Sequence, residues 1–451
     1  MYDPETDTFE LDTDEPLILL IGSIGHEGVL STLRAAGRQY KNKFLESHVK
    51  NWESILQYFD DYVIECVLVK LSPQAISLIA TKEYNCVRDR LFKKIADTPN
   101  IFFVYEDILS GHFEEGYWPD VHHQPSEEAR TSVFKMLAEY DIRILPYKRN
   151  AEITVMAETF LAETEQNLIF RLYVPTGRLW SNESDKLLQL FREYLAKVST
   201  IKVRLDQYRT DKGIIYEIHS EEVISSTGID VEFTEFTRFM DLCVTDLNAA
   251  ENILKSKDLK PQEVIGILSR YSKEAKRLSV DLKHERELKV LSIRQRLESE
   301  LVDTIPGDTD WEAINSLVTM AIPPLRGLSG AISVDQEPML LPTRNDANNI
   351  TINVNPQIVE TVNGVIAQEI RGNQHIGQEA QQLLELIQKY GGSQSRELAS
   401  SVHELEDESA PKPGRLNAKQ RLKKFLIDIG GKVGDVALGV LQSYIEKQIG
   451  L

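Results

Sequence analysis

One alternation governs the first 165 residues: short runs of strand-forming residues, each followed by a stretch with helical spacing. LILLI at Leu17–Ile21 is continuously apolar, as expected of a strand buried on both faces. A second run, YVIECVLVKL at 62–71, follows a helical pattern with Trp52, Ile55, Leu56 and Phe59 on one side. Next comes SPQAISLIATKEYNCVRDRLFKKIA, with Ser72 at the N-cap and Pro73 at the first helical position. Runs at 101–105 (IFFVY) and 142–146 (IRILP) flank a polar connection and a helix near 127–140, and Asn150 is expected to cap a further helix, AEITVMAETFLAE. Strands joined through helices require right-handed crossovers. The pattern therefore predicts an α/β fold: a Rossmann-like domain over 16–165, with a parallel sheet and helices on both faces.

Beyond it, residues 166–230 read as an α+β unit. NLIFRLYVP is followed by a helix, DKLLQLFREYLAKV, and then by two strands joined through Thr210-Asp211-Lys212-Gly213, a hairpin signal. The pattern leaves open whether this unit extends the first sheet or stands apart. Residues 231–304 are helical throughout, with Leu278, Leu282, Leu288, Leu291 and Leu297 expected on one apolar stripe and His284 on the solvated face. Proline, glycine and asparagine then mark 305–349 as a linker, in which GLSG reads as a turn. A strand-plus-helix module is expected over 350–392 (ITINVNP, then a helix near 374–389), a charged Ser/Pro-rich linker over 393–414, and an amphipathic helix over 415–451.

Composition limits the function classes. A net charge of −19 argues against general nucleic-acid binding, which needs clustered Lys and Arg. Residues 1–15 carry no basic side chain and read as a disordered or loosely docked acidic arm. The three cysteines, Cys66, Cys86 and Cys243, are too few and too scattered for a disulfide framework or a zinc site and are expected as small core residues. No signal-peptide pattern opens the sequence, and no apolar stretch reaches the roughly 18–20 residues of a membrane span, so the expected setting is cytoplasmic.

The glycines of GSIGHEG, Gly22, Gly25 and Gly28, pose the sharpest question: a phosphate cradle, or a tight turn. The spacing G-x-x-G-x-x-G is neither the dinucleotide fingerprint nor a Walker A loop. Its interest lies in convergence. In a parallel sheet ligands bind beyond the strands' carboxyl ends, and there the chain offers Gly22, Ser23, Gly25, His26 and Glu27 after the first strand, Lys70 and Ser72 after the second, Glu106 and Asp107 after the third, and Lys148, Arg149 and Asn150 after the fourth. Backbone contacts are assigned to Gly22, Ser23 and Gly25, acid–base work to His26, Glu106 and Asp107, and anion contacts to Lys70 and Arg149, with Ser72 and Asn150 also explicable as helix caps. Arg178, beside Tyr173 and Trp180, offers a second anion and stacking position. The loop SGHFEEGYWPDVHH holds His112, His122 and His123 among acidic residues, yet it has no fixed metal-ligand spacing. No metal is assigned, and no cofactor is named.

The tail's apolar residues, among them Leu422, Phe425, Leu426, Ile429, Leu441 and Ile445, recur at helical spacing behind a polar linker. Asp428, Asp435 and Glu446 interrupt that face and argue against a membrane anchor. The expectation is a separate C-terminal oligomerisation module, with self-association through residues 350–451. The layout of this tail (ITINVN, a Gln/Glu-rich helix, a Pro-containing charged linker and a Gly-rich terminal helix) resembles the ends of bacterial abortive-infection proteins of the AbiTii type. The resemblance covers about the last hundred residues. It implies a phage-defence or stress setting with assembly through the tail, and it transfers no catalytic residue. Two functions stay open: an α/β domain that binds and processes a nucleotide-like ligand, or a non-enzymatic scaffold that recognises a partner.

Overall fold

The computed structural model describes residues 11–13, 15–24, 28–111, 124–177, 181–220, 226–257, 259–302, 308–322, 327–328, 361, 365–366, 377–433 and 435–448. They form two compact units, one from residues 1–166 together with 411–451, the other from 167–410.

The first unit is built on a five-stranded parallel sheet in the order β2-β1-β3-β4-β5: β1 (Leu17–Ile21), β2 (Gln39–Lys43), β3 (Ile64–Leu71), β4 (Asn100–Tyr105) and β5 (Ile144–Tyr147). The interior strands are apolar on both sides because both sides are covered. One layer packs Leu17, Leu19, Val67, Val69 and Phe102 against α2 (Val49–Asp61), α3 (Pro73–Ile79), α4 (Asn85–Ala96) and α6 (Glu127–Glu139). The other packs Ile18, Leu20, Cys66, Leu68 and Phe103 against α1 (Val29–Ala35) and α7 (Asn150–Glu165). Trp52 is wholly buried, and its indole Nε1 donates to the Leu45 carbonyl at 3.0 Å. Left unpaired, such a donor would cost about 1–3 kcal/mol.

Local chemistry explains the element ends. Ser72 caps α3, its Oγ accepting from the Ala75 amide at 3.1 Å. The single helix expected after it is interrupted by a 3-10 turn at Lys82–Tyr84. At α7 the N-cap is Arg149, not Asn150. The buried Glu152 carboxylate accepts from the Lys148 amide at 2.8 Å and the Arg149 amide at 3.3 Å. Strand β2, QYKNK, escaped sequence reading because a half-buried edge strand shows no apolar periodicity. Residues 11–13, expected within a loose arm, dock beside it: the Asp12 amide donates to Gln39 Oε1 at 2.6 Å. Cys66 and Cys243 are buried as expected, whereas Cys86 is exposed.

The tail does not form a separate module. The single helix expected over 415–451 is two: α15 (Lys412–Ile429) and α16 (Asp435–Gln448), parted at the 3-10 turn Gly430–Lys432. Both belong to the first unit. Helix α15 packs on β5 and α7, with Leu416 entering the layer of α1 and α7 and Ile427 lying against the other layer. It covers the sheet's open edge at β5, a common remedy for unpaired strand edges. The apolar stripe that suggested an intersubunit helix is thus buried within its own chain.

The second unit settles the open question about residues 166–230. β6 (Leu168–Pro175), β7 (Val203–Arg209) and β8 (Gly213–Ser220) form their own antiparallel sheet, ordered β6-β8-β7. One face packs Phe170 against Phe191 of α8 (Ser181–Lys197) and Phe233 of α9 (Ser226–Thr245). The other carries Arg171, Glu217, Asp206 and His219, with His219 Nε2 3.5 Å from Asp206. The helices α10 (Leu247–Lys255), α11 (Pro261–Leu301) and α12 (Asp308–Ala321) follow, then α13 (Gln378–Tyr390).

The linker expected over 393–414 is instead helix α14 (Ser395–Glu406), which lies along β6. Its polar residues misled because they meet polar partners. Ser400 Oγ accepts from the Tyr173 amide at 2.8 Å, Arg171 pairs with both Glu217 and Glu404, and the Tyr173 hydroxyl donates to Asp407 at 2.7 Å. Burial, followed by the bond to Asp407, pushes the Tyr173 phenol far above its ordinary pKa. The strand ITINVNP lies outside the described residues.

Gly22 has φ +94°, and a Cβ there would stand 2.3 Å from the Lys70 carbonyl oxygen. Gly22→Ala is therefore expected to lower the unfolding free energy by at least about 2 kcal/mol, since left-handed strain and a backbone collision add. Urea denaturation against wild type measures it.

Candidate functional site

Because every strand pairing in the first sheet is parallel, the exits of β1, β3, β4 and β5 lie on one edge. The strand order reverses at β1, whose neighbours are β2 and β3, and this is the topological switch point where open α/β sheets bind ligands.

At that point Gly22 answers the question raised by the sequence. Its amide donates to the Lys43 carbonyl at 2.7 Å, and its missing Cβ lets the β1 exit rest on the β3 backbone at Lys70. The glycine serves chain packing. Ser23 follows it, half-buried, and Gly25 and His26 lie outside the described residues. Ser72 is engaged twice, as the α3 cap and as a donor to the Glu46 carboxylate.

Lys70 reaches across the sheet end. Its Nζ is 3.5 Å from Asn150 Oδ1, at the start of α7, and 5.4 Å from the centroid of the Tyr147 ring. Lys148, Arg149 and Asn150 are exposed beside it. The structure thus brings Lys70, Arg149 and Asn150 to one cationic rim. The Glu152 carboxylate, on the first turn of α7, takes the amides of Lys148 and Arg149 just before the helix, so those two donors are not free for a ligand.

Glu106 opens α5 (Glu106–Ser110) at the end of β4, but it is engaged with Lys423 of α15. Lys423 also pairs with Glu446 of α16, and Lys419 stands 3.1 Å from the same carboxylate. The side chains of Lys419 and Lys423 are only 3% and 5% exposed, whereas that of Glu446 is 39% exposed, so the cluster is shielded from the lysine side and open to solvent at Glu446. Burial drives the Glu106 carboxyl above its ordinary range against the pull of Lys423. Burial works to lower Lys423, but Glu106 and Glu446 outweigh it and hold its ammonium above the usual value. Burial also works to raise Glu446, yet the Lys423 and Lys419 ammoniums bring it below the usual value. A carboxylate held in an ion pair is poorly placed to take a proton from a substrate, so Glu106 is a structural partner of the tail. Asp107 closes α5, its carbonyl accepting from Gly111 at 2.9 Å.

Sequence reasoning missed Lys419 and Lys423, and it read Glu446 only as an interruption of the tail's apolar face. The available signal was two lysines four residues apart inside an apolar helical pattern, a spacing that puts both on one face. On the same helix Gln420 is wholly buried, and among the described residues neither its Oε1 nor its Nε2 has a hydrogen-bond partner.

Arg178 and Trp180 lie outside the described residues, as do His112, His122 and His123 with their acidic neighbours. Among the described residues no group of three His, Cys, Asp or Glu side chains is placed to hold a metal ion, and no helix is long and apolar enough to cross a membrane. Compared with known proteins, the chain matches no protein-family model, no curated protein and no solved structure.

Two outcomes are expected at the tail. The Lys423 pKa is higher folded than unfolded, so its stabilising contribution is complete below the unfolded value of about 10.5 and is lost as pH rises through the folded value. Denaturation midpoints measured from pH 8 to 12 should fall more steeply in wild type than in Lys423→Met. Gln420→Met removes an unpaired buried amide at similar volume and is expected to raise the unfolding free energy by about 1–3 kcal/mol, read from urea midpoints.

Proposed function

We propose that residues 16–165 form a Rossmann-like binding domain whose carboxyl edge holds an anionic, nucleotide-like small molecule. The observation that carries this reading is the meeting of Lys70 and Asn150 at 3.5 Å, beside the switch point of a parallel sheet. Exposed Lys148 and Arg149 supply further positive charge at the same rim, and the Tyr147 ring lies beneath Lys70. Ammonium and guanidinium groups suit phosphate oxygens, and an amide side chain suits a ribose or base edge. The overall charge of −19 makes a local cationic rim selective for small anions over extended nucleic acid.

The protein is read as a sensor more than as a catalyst, because Glu106, the best-placed carboxylate on the edge, is committed to Lys423. The phage-defence setting implied by the tail's resemblance belongs to the same proposal, with ligand binding as the trigger. A scaffold without a ligand is the second reading, favoured by the burial of polar residues between sheet and tail.

Isothermal titration calorimetry against a nucleotide panel that includes NAD and cyclic dinucleotides tests the proposal. One member is expected to bind, with affinity at least tenfold weaker in Lys70→Ala, since a charge-assisted hydrogen bond contributes about 1.5–3 kcal/mol. Binding untouched by Lys70→Ala removes the rim from the account, and binding of no member leaves the scaffold.

A further inference from the structure

Helix α11 runs for 41 residues, a rod about 60 Å long. The five leucines expected on one stripe divide. Leu278, Leu282 and Leu297 are buried, whereas Leu288 is 64% exposed and Leu291 50%. Val280 and Val302, the C-cap that continues the helical backbone by one residue, are exposed as well, at 58% and 65%. A scattered exposed leucine means little, but these four share a side of the helix. Val280, Leu291 and Val302 follow at intervals of eleven residues, about three turns, so they return to nearly the same azimuth. Leu288 flanks that line. The helix already meets its neighbours elsewhere: Tyr271, Leu278 and Leu282 are buried, and Arg286 and Arg294 bond to α12 at the Thr319 and Asn315 carbonyls.

We propose that this stripe is the contact between two copies of the chain, with their α11 helices antiparallel across a two-fold axis at Leu291. The occupant follows from the spacing and the charge. Val280 and Val302 are equidistant from Leu291, so a two-fold there places Val280 of one copy against Val302 of the other and Leu291 against itself. That is the self-complementarity an isologous interface requires. The same operation sets exposed Lys283 of one copy beside exposed Glu298 of the other, twice over, with the His284 ring adjoining, so opposite charges flank the apolar line. A parallel pairing would instead set Glu298 against Glu298 and Lys283 against Lys283. This contact stands apart from the ligand reading, and it moves self-association from residues 350–451 to α11.

Light scattering after size exclusion on the full chain tests it. Wild type is expected at the mass of two 51.3 kDa chains, and Leu288→Glu/Leu291→Glu at one. These side chains are exposed, so the far-ultraviolet spectrum is expected to be unchanged. Register is tested in a Cys86→Ser background with a short bismaleimide. Leu291→Cys is expected to cross-link to itself. Val280→Cys is not, because antiparallel copies hold those positions about 33 Å apart. A monomeric wild type, a dimer indifferent to the double substitution, or self-cross-linking of Val280→Cys overturns the proposal. If the double variant does not fold, the cross-linking yields alone decide.

Discussion

Burial of the first sheet on both faces is the constraint from which the rest follows. Leu17, Ile18, Leu19, Leu20 and Ile21 are all excluded from solvent, which is possible only if helices cover each side of β1. Helices on both sides require crossovers, crossovers make neighbouring strands parallel, and parallel strands bring their exits to one edge. Lys70 and Asn150, 80 residues apart in sequence, meet for that reason alone. Gly22 belongs to the same logic: with a side chain there, the β1 exit could not rest against the β3 backbone.

A parallel sheet also has edges, and the tail answers that problem. Strand β5 has β4 on one side only, and the chain returns after Pro411 to lay α15 along the other. The Lys423–Glu106 pair, 317 residues apart in sequence, ties this helix to the end of β4. Desolvating two charges offsets much of their attraction, so the pair specifies where α15 docks more than it stabilises the fold. Removing one partner is another matter, since the remaining charge stays in a dry place. Glu446 spreads that dependence over both tail helices.

How much was legible in the sequence follows from this physics. Periodicity reports whether a face is buried, so β1, β3, β4 and most helices were readable. It does not report what covers the face. The tail's stripe announced a partner, and only coordinates identify that partner as the chain's own sheet. Helix α14 was hidden because Ser400, Glu404 and Asp407 look like linker residues until Tyr173 and Arg171 appear opposite them. At the candidate site, Lys70 and Arg149 were found by their place at strand ends, an argument from topology. Lys419 and Lys423 were not found, because their spacing inside an apolar pattern marks a shared face but does not name the distant carboxylates they meet.

Helices α15 and α11 invert the usual distribution of polarity, and in opposite senses. Helix α15 buries Arg415, Asn417, Lys419, Gln420 and Lys423, while α11 exposes Val280, Leu288, Leu291 and Val302. Neither follows from stability alone. A buried amide without a partner costs free energy that leucine would not, and an exposed leucine contributes nothing that glutamate would not, beyond a risk of aggregation. Each pattern is economical only if the surface meets something else. On α15 that something is already present in part, as Glu106 and Glu446. On α11 the stripe is exposed among the described residues, and its spacing about Leu291 fits a second copy better than an unrelated surface. The same reasoning separates the helices functionally, since polar groups kept dry specify a single docked position, whereas apolar groups kept wet await a partner.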